Sequence, residues 1–250
     1  MITESTLQAL VSEKYLSDPH YREWHLSIIA PPPGTKVYGL HSPQMKDLAR
    51  TLVKEGEWKA QIGEWKSHVP LTGEGGLSLE ERMIWGLAID FAKVPLTEKI
   101  ALTEEYIPAI DSWSICDSFC AGAKWAGKEK DRDMLWPWLL KLLSSEEEWR
   151  CRVALVIMLD FYLDEKYLPL TLDAVVERRF TDDSPFYMRM GAAWLLSQAL
   201  AKDYDRTLPY IASGDRLSPW IRNKAIQKAR ESFRVSEERK KELLSYKVKL

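Results

Sequence analysis

Apolar residues recur at intervals of three and four positions along most of the chain, which is the spacing of an α-helix that packs on one side. One such stripe consists of Cys151, Ala154, Leu155, Met158, Phe161 and Tyr162. Strand-like alternation between turn signals is nearly absent. The pattern therefore predicts an all-α fold.

Several of the predicted helices begin at a recognisable capping sequence. Two pairs fit the capping box, and two serines stand directly before a proline at the first helical position. They are Ser78 with Glu81, Ser145 with Glu148, Ser184 before Pro185, and Ser218 before Pro219. We predict helices near residues 3–17, 42–54, 78–92, 98–108, 112–124, 131–143, 146–162, 167–178, 185–201, 218–231 and 236–246.

The predicted helices follow one another about every 18 to 20 residues, so that a helix pair repeats about every 35 to 40 residues. This period favours a curved α-solenoid of HEAT-like helical repeats, although a generic helical bundle would also fit the pattern. Only a loop at 29–41 and a glycine-rich turn at 71–78 interrupt this regular succession of helices. Because no sharp boundary divides the chain, we expect a single repeat domain over residues 1–250.

Composition restricts the possible classes of protein. The chain has 250 residues, of which 46% are hydrophobic, so it can bury a large core. No apolar run approaches the length of a membrane span and the N-terminus lacks signal-peptide features, so we expect a cytoplasmic protein. The three cysteines form no CxxC pair, which favours buried thiols over disulfides; Cys116 and Cys120 could both reach one ion, but a closed zinc site needs further ligands.

The net charge of −2 hides an asymmetry, because residues 206–250 contain 12 Lys+Arg against 5 Asp+Glu. Within this region the predicted helix at 218–231 carries an apolar face with Ile221 and Ala225 and a polar, basic face opposite. Such a face suits contacts with a phosphate backbone, while an ordinary solvated helix face is the alternative. The candidate phosphate-contacting residues are Arg222, Lys224, Lys228 and Arg230.

Trp113 and Asp117 are four residues apart in the predicted helix 112–124, so an indole and a carboxylate lie on one helical face. A core tryptophan beside a solvated aspartate is the alternative. In the helix 185–201, Tyr187, Gly191 and Trp194 form a stripe separate from the main apolar one. This second stripe predicts an aromatic ledge where another group can approach the backbone at the glycine, with plain helix packing as the alternative.

Arg150 and Arg152 lie near the start of the predicted helix 146–162, where cations are unfavourable for the helix dipole. Their position suggests a bound anion such as a phosphate, which arginine and a helix N-terminus hold together. Salt bridges to Glu146, Glu147 or Glu148 are the simpler alternative.

Motifs of nucleotide, metalloprotease or serine-hydrolase sites are missing from the sequence: we find no GxGxxG, Walker A, HExxH or GxSxG. We therefore expect no metal and no nucleotide cofactor.

Six segments together resemble the AlkD-type DNA alkylation repair glycosylases. In chain order they are VYGLHSPQMKDLAR, LEERMIWGLAID, SWSICDSF, WRCRVALVIML, FYMRMGAAWLLSQ and PWIRNKAIQKARESFR. The second is similar to the family's Glu-Arg helix and the third to its Trp-x-x-x-Asp motif. The resemblance implies a curved stack of HEAT-like repeats that wraps duplex DNA.

The resemblance also implies the roles of individual residues. Asp117 takes the position of the catalytic aspartate, Trp113 and Trp194 those of the sugar-contacting tryptophans, and Arg152 that of an arginine at the DNA backbone. Tyr187 and the basic residues above are candidate DNA contacts. The implied activity is hydrolysis of the glycosidic bond of N3- or N7-alkylated purines in duplex DNA by a monomer, and the alternative is a non-catalytic scaffold that binds DNA structures or a protein partner.

Overall fold

A computed structural model describes residues 1–213 and 216–249. This part of the chain consists of α-helices and two short 3₁₀ turns, Ile107–Ala109 and Lys124–Gly127, and it contains no strand. The predicted all-α class is confirmed. The chain divides into two compact units, Met1–Trp125 and Ala126–Leu250, and the expectation of a single domain stays a prediction.

The first unit contains eight helices among its described residues, and its longer helices stack in a row. Helix α4 packs on α6 and α6 packs on α8, while α5 and α7 flank α6. The bounds are α1 Glu4–Ala9, α2 Glu13–Ser17, α3 Pro19–Ile29, α4 Ser42–Glu55, α5 Trp58–Lys66, α6 Leu79–Phe91, α7 Leu96–Tyr106 and α8 Trp113–Gly122.

The second unit repeats this arrangement. Helices α10, α12 and α14 pack side by side in a row, α9 packs on α10, and α11 and α13 pack on α12 and on each other. The packing of every second helix on the next is the arrangement of helical-repeat proteins. The bounds are α9 Glu129–Leu143, α10 Glu148–Phe161, α11 Leu168–Glu177, α12 Phe186–Lys202, α13 Tyr204–Ala212, α14 Pro219–Glu231 and α15 Glu237–Leu244.

The structure contains three helices that the periodicity did not predict, namely α3, α5 and α13. Helix α3 has no buried residue, α5 contains Gly63, and α13 contains Pro209. The single helix predicted at 3–17 is wrong, because the Ser12 side chain accepts the Tyr15 amide at 3.2 Å and starts α2 there. The predicted loop at 29–41 is confirmed up to His41, the N-cap of α4.

Two of the four predicted capping signals were confirmed. Ser78 and Glu81 form the capping box of α6, and Ser218 caps α14 ahead of Pro219. The box predicted for Ser145 and Glu148 is wrong, because the Glu148 carboxylate instead accepts the backbone amide of Tyr187 in α12 at 2.6 Å. A hydrogen bond between α10 and α12 thus replaces the predicted capping bond within α10. The start predicted at Ser184 and Pro185 is wrong, because Pro185 is itself the N-cap of α12 and the Ser184 hydroxyl accepts the Thr181 amide at 3.0 Å instead.

Helix α10 is buried on all sides rather than on one. Every residue from Cys151 to Met158 is buried, including Arg152. Helix α10 packs on both α9 and α12, so more of its surface is buried than the one-sided apolar stripe in the sequence predicts.

Candidate functional site

Trp113 and Asp117 occupy the first two turns of α8. Trp113 is its first residue, Asp117 follows one turn later on the same face, and both side chains are half-buried. The buried face of the helix is formed by Ser114, Ile115, Cys116, Phe119 and Cys120. The indole and the carboxylate therefore border the core without being enclosed by it.

Helix α6 holds both ends of α8. At the N-terminal end the Arg82 guanidinium contacts Asp111 at 2.5 Å and donates to the Ala109 carbonyl at 3.2 Å. At the C-terminal end Asp90 accepts the indole N–H of Trp125 at 3.0 Å.

Close packing reinforces the second contact, because a Cβ at Gly122 would lie only 2.2 Å from a carboxyl oxygen of Asp90. Burial raises the pKa of Asp90 well above its usual value, against the opposing effects of Trp125 and Lys99. These two charged residues of α6 were missed as site residues. For Asp90 the signal is its position in the otherwise apolar run 83–92, whereas Arg82 directly follows Glu80 and Glu81 and has no such signal.

The cysteines are packing residues. All three are free and buried, as predicted. Burial, then Cys116 and the charge of Asp117, raise the pKa of the Cys120 thiol, and burial raises that of Cys151 to about 12. Among the described residues no group of three His, Cys, Asp or Glu side chains has an arrangement that could hold a metal ion.

In the second unit, Arg152 connects α10 to the first turn of α12. It is only 3% exposed, and its guanidinium donates to the Tyr187 carbonyl at 3.0 Å and lies 5.5 Å from the centre of the Tyr187 ring. Arg152 is therefore part of the buried face of α10. Its position still places a cation under the half-buried ring of Tyr187.

The second stripe of α12 is confirmed. Met188, Ala192, Leu195 and Ala199 are buried, whereas Tyr187, Trp194 and Gln198 are half-buried. Gly191 allows the predicted close approach, but the approaching group is α10: a Cβ on Gly191 would lie 3.0 Å from Leu155 and 3.6 Å from Arg152.

The remaining candidate cations differ in their availability. Arg150 forms an ion pair with Glu147 at 3.1 Å, which is the simpler alternative considered for it. On α14, Arg222 is buried and donates to the Ser213 carbonyl at 2.7 Å. Lys224 and Lys228 are half-buried, and Arg230 is exposed.

The candidate residues thus form one group in each unit, Trp113 with Asp117 in the first and Arg152, Tyr187 and Trp194 in the second. Their catalytic and DNA-binding roles stay predictions. Within residues 1–213 and 216–249 no helix is long and apolar enough to cross a membrane.

Alternating helices packed in rows define the class of all-α helical-repeat proteins. Residues 20–229 match the family model described as DNA alkylation repair enzyme, and the chain belongs to that family. Comparison with curated proteins and with solved structures gave no match.

Proposed function

We propose that the protein is a DNA glycosylase that hydrolyses the N-glycosidic bond of N3- or N7-alkylated purines in duplex DNA. The observation that carries this proposal is the half-buried pair of Trp113 and Asp117 on one face of α8, in a chain of the DNA alkylation repair enzyme family. The family description supports repair of alkylated DNA, and the pair supports the reaction type.

The chemistry requires stabilisation of positive charge rather than a strong acid. Alkylation at N3 or N7 makes the purine cationic, so the bond from C1′ to nitrogen breaks with its electron pair moving onto the base, which leaves neutral. The sugar becomes oxocarbenium-like, and the oxygen of a water molecule then bonds to C1′ and releases a proton. The Asp117 carboxylate would stabilise the cationic sugar and orient that water.

The aromatic residues contribute in a second way. The face of an indole attracts a cation and excludes water from it, so Trp113 and Trp194 are each suited to contact with a cationic sugar. Both are half-buried, so part of each side chain is accessible to a substrate. No metal or nucleotide is required for these steps.

The test is release of N3-methyladenine and N7-methylguanine from methylated duplex DNA by the wild type and by Asp117→Asn. The loss of one preorganised electrostatic group typically costs about 10²- to 10³-fold in rate, and we expect a loss of that size. Trp113→Ala should also slow release. Uracil is uncharged in DNA and would have to leave as an anion, so it should be released far more slowly than the methylated purines.

Matched controls separate the site from general effects. Asp47→Asn changes an exposed aspartate of α4, and Trp24→Ala removes an exposed tryptophan of α3. Neither should change release. No release by a folded wild-type protein would refute the proposal, and full release by Asp117→Asn would refute the role of Asp117. No release by the wild type, together with DNA binding that survives in Asp117→Asn but is lost on charge reversal at Lys224 or Lys228, would favour a DNA-binding scaffold.

A further inference from the structure

Aromatic and basic side chains meet at the first turns of α12 and α14. The rings of Phe186 and Trp220 lie edge to face with their centroids 6.1 Å apart. The Arg189 guanidinium lies 4.6 Å from the centre of the Trp220 ring, and the Lys224 ammonium lies 5.9 Å from it. We call these four residues the Trp220 cluster.

Arg189 carries a charge that has no partner anion in the described part of the chain. Within residues 1–213 and 216–249 its side chain makes no hydrogen bond and no ion pair, and its Nε is buried without a partner. A guanidinium over an indole keeps its N–H groups in its own plane, so the terminal N–H groups stay free to donate to a phosphate even though Nε is buried. Trp220 therefore orients Arg189 without neutralising it.

Nearby carboxylates are bound to backbone amides. Asp182 accepts the amide of Trp220 at 3.4 Å, and Glu148 accepts the amide of Tyr187 at 2.6 Å. Since these bonds fill first-turn amides of α14 and α12, an anion at this edge would be held by the cationic side chains rather than by the helix termini.

Phe186 supplies an apolar ring beside these cations. Its side chain is 47% exposed, although it contacts Tyr187 and Trp220 on two sides. An exposed aromatic face next to a phosphate-binding cation is the arrangement that binds a nucleotide by stacking on its base. In an intact duplex each base face is already stacked, so only an unpaired base can use such a ring.

We propose that the Trp220 cluster binds an unpaired nucleotide of a DNA strand, with the base on the Phe186 ring and the adjacent phosphate on Arg189 and Lys224. The proposal rests on DNA as the ligand of the proposed function, but not on hydrolysis at Asp117. It assigns a strand-binding role to an edge that the excision chemistry does not use.

The test is binding of three labelled DNA ligands, followed by fluorescence anisotropy: a single-stranded 12-mer, its full duplex, and the duplex with one unpaired nucleotide. Phe186→Ala should weaken binding to the single strand and to the duplex with the unpaired nucleotide by about tenfold, the scale of one base–aromatic stack. It should leave the full duplex unchanged. Arg189→Gln should weaken all three and lower the salt dependence of single-strand binding by about one phosphate contact.

Two variants of the same unit serve as matched controls. Phe233→Ala removes a ring that is 93% exposed, and Arg239→Gln removes a guanidinium that lies 4.5 Å from the Tyr204 ring but is already paired with Asp205 at 2.9 Å. Both should bind all three ligands as the wild type does. Thermal unfolding of each variant checks that it is folded.

Three results would overturn the proposal. The first is that Phe186→Ala binds the single strand as tightly as the wild type does, and the second is that it loses as much affinity for the full duplex as for the single strand. The third is that Arg239→Gln loses as much affinity for these ligands as Arg189→Gln. A failure of the Trp220 cluster would leave methylpurine release intact, whereas a failure of the proposed function would leave these binding differences intact.

Discussion

The substitution Arg82→Ala tests whether α6 holds the start of α8. Arg82 is fully buried, with its guanidinium 2.5 Å from Asp111 and donating to the carbonyls of Ala109 at 3.2 Å and Ser78 at 3.3 Å. Alanine leaves Asp111 without its counter-charge and the Ala109 carbonyl without this donor, whereas the Ser78 carbonyl keeps the backbone amide of residue 82 at 3.2 Å. The turn that leads into Trp113 would then lose its attachment to α6.

The size of the stability loss expected for Arg82→Ala follows from the burial of the ion pair. Removal of one partner of a buried ion pair typically costs about 3 to 5 kcal/mol. Asp111 keeps 17% of its side chain exposed, so water can partly solvate the orphaned carboxylate. We therefore expect the low end, a decrease of about 3 kcal/mol in the free energy of unfolding.

Urea unfolding followed by circular dichroism measures this decrease. Arg50→Ala is the matched control, because Arg50 pairs with Asp47 at 2.9 Å but both side chains are more than half exposed. An exposed pair contributes about 0 to 1 kcal/mol. A double-mutant cycle with Asp111→Asn should give a coupling of at least about 1 kcal/mol between Arg82 and Asp111.

A result in which Arg82→Ala costs no more than Arg50→Ala would refute this reasoning. So would a coupling energy near zero, because the loss would then come from the cavity alone.

Three further predictions concern other contacts. Glu80→Ala should lower the free energy of unfolding by at least about 3 kcal/mol, because the buried Glu80 carboxylate accepts the amides of residues 38–40 at 2.7 to 3.2 Å and each unsatisfied amide costs about 1 to 3 kcal/mol. These amides should exchange hydrogen faster in the variant, and unchanged exchange would contradict the prediction. Gly191→Val should cost about 1 to 3 kcal/mol in urea unfolding, because its side chain would collide with Leu155; a neutral result would mean that α10 and α12 can separate freely. Burial and then His41 lower the pKa of His25 in the folded state, so the unfolded state takes up the proton first and stability falls as the pH drops through about 6.5. The melting temperatures measured above and below that pH should differ less for His25→Phe than for the wild type. An equal difference in the two proteins would count against this prediction.

The sequence by itself determined the fold class and most of the helix positions. The apolar spacing in α6, α8 and α12, and caps such as Ser78 and Ser218, act within one or two turns, so they can be read from neighbouring residues. The i, i+4 relation of Trp113 and Asp117 is equally local. For this reason their common face could be predicted before any packing was known.

Tertiary structure decided the properties that depend on partners far along the chain. Arg152 is buried because α12 covers α10, and Glu148 binds the Tyr187 amide instead of capping its own helix. Arg82 attaches the start of α8 to α6 by pairing with Asp111, which is 29 positions further along the chain. Burial and ion pairing depend on which helices meet, and the spacing of residues within one helix carries no information about that.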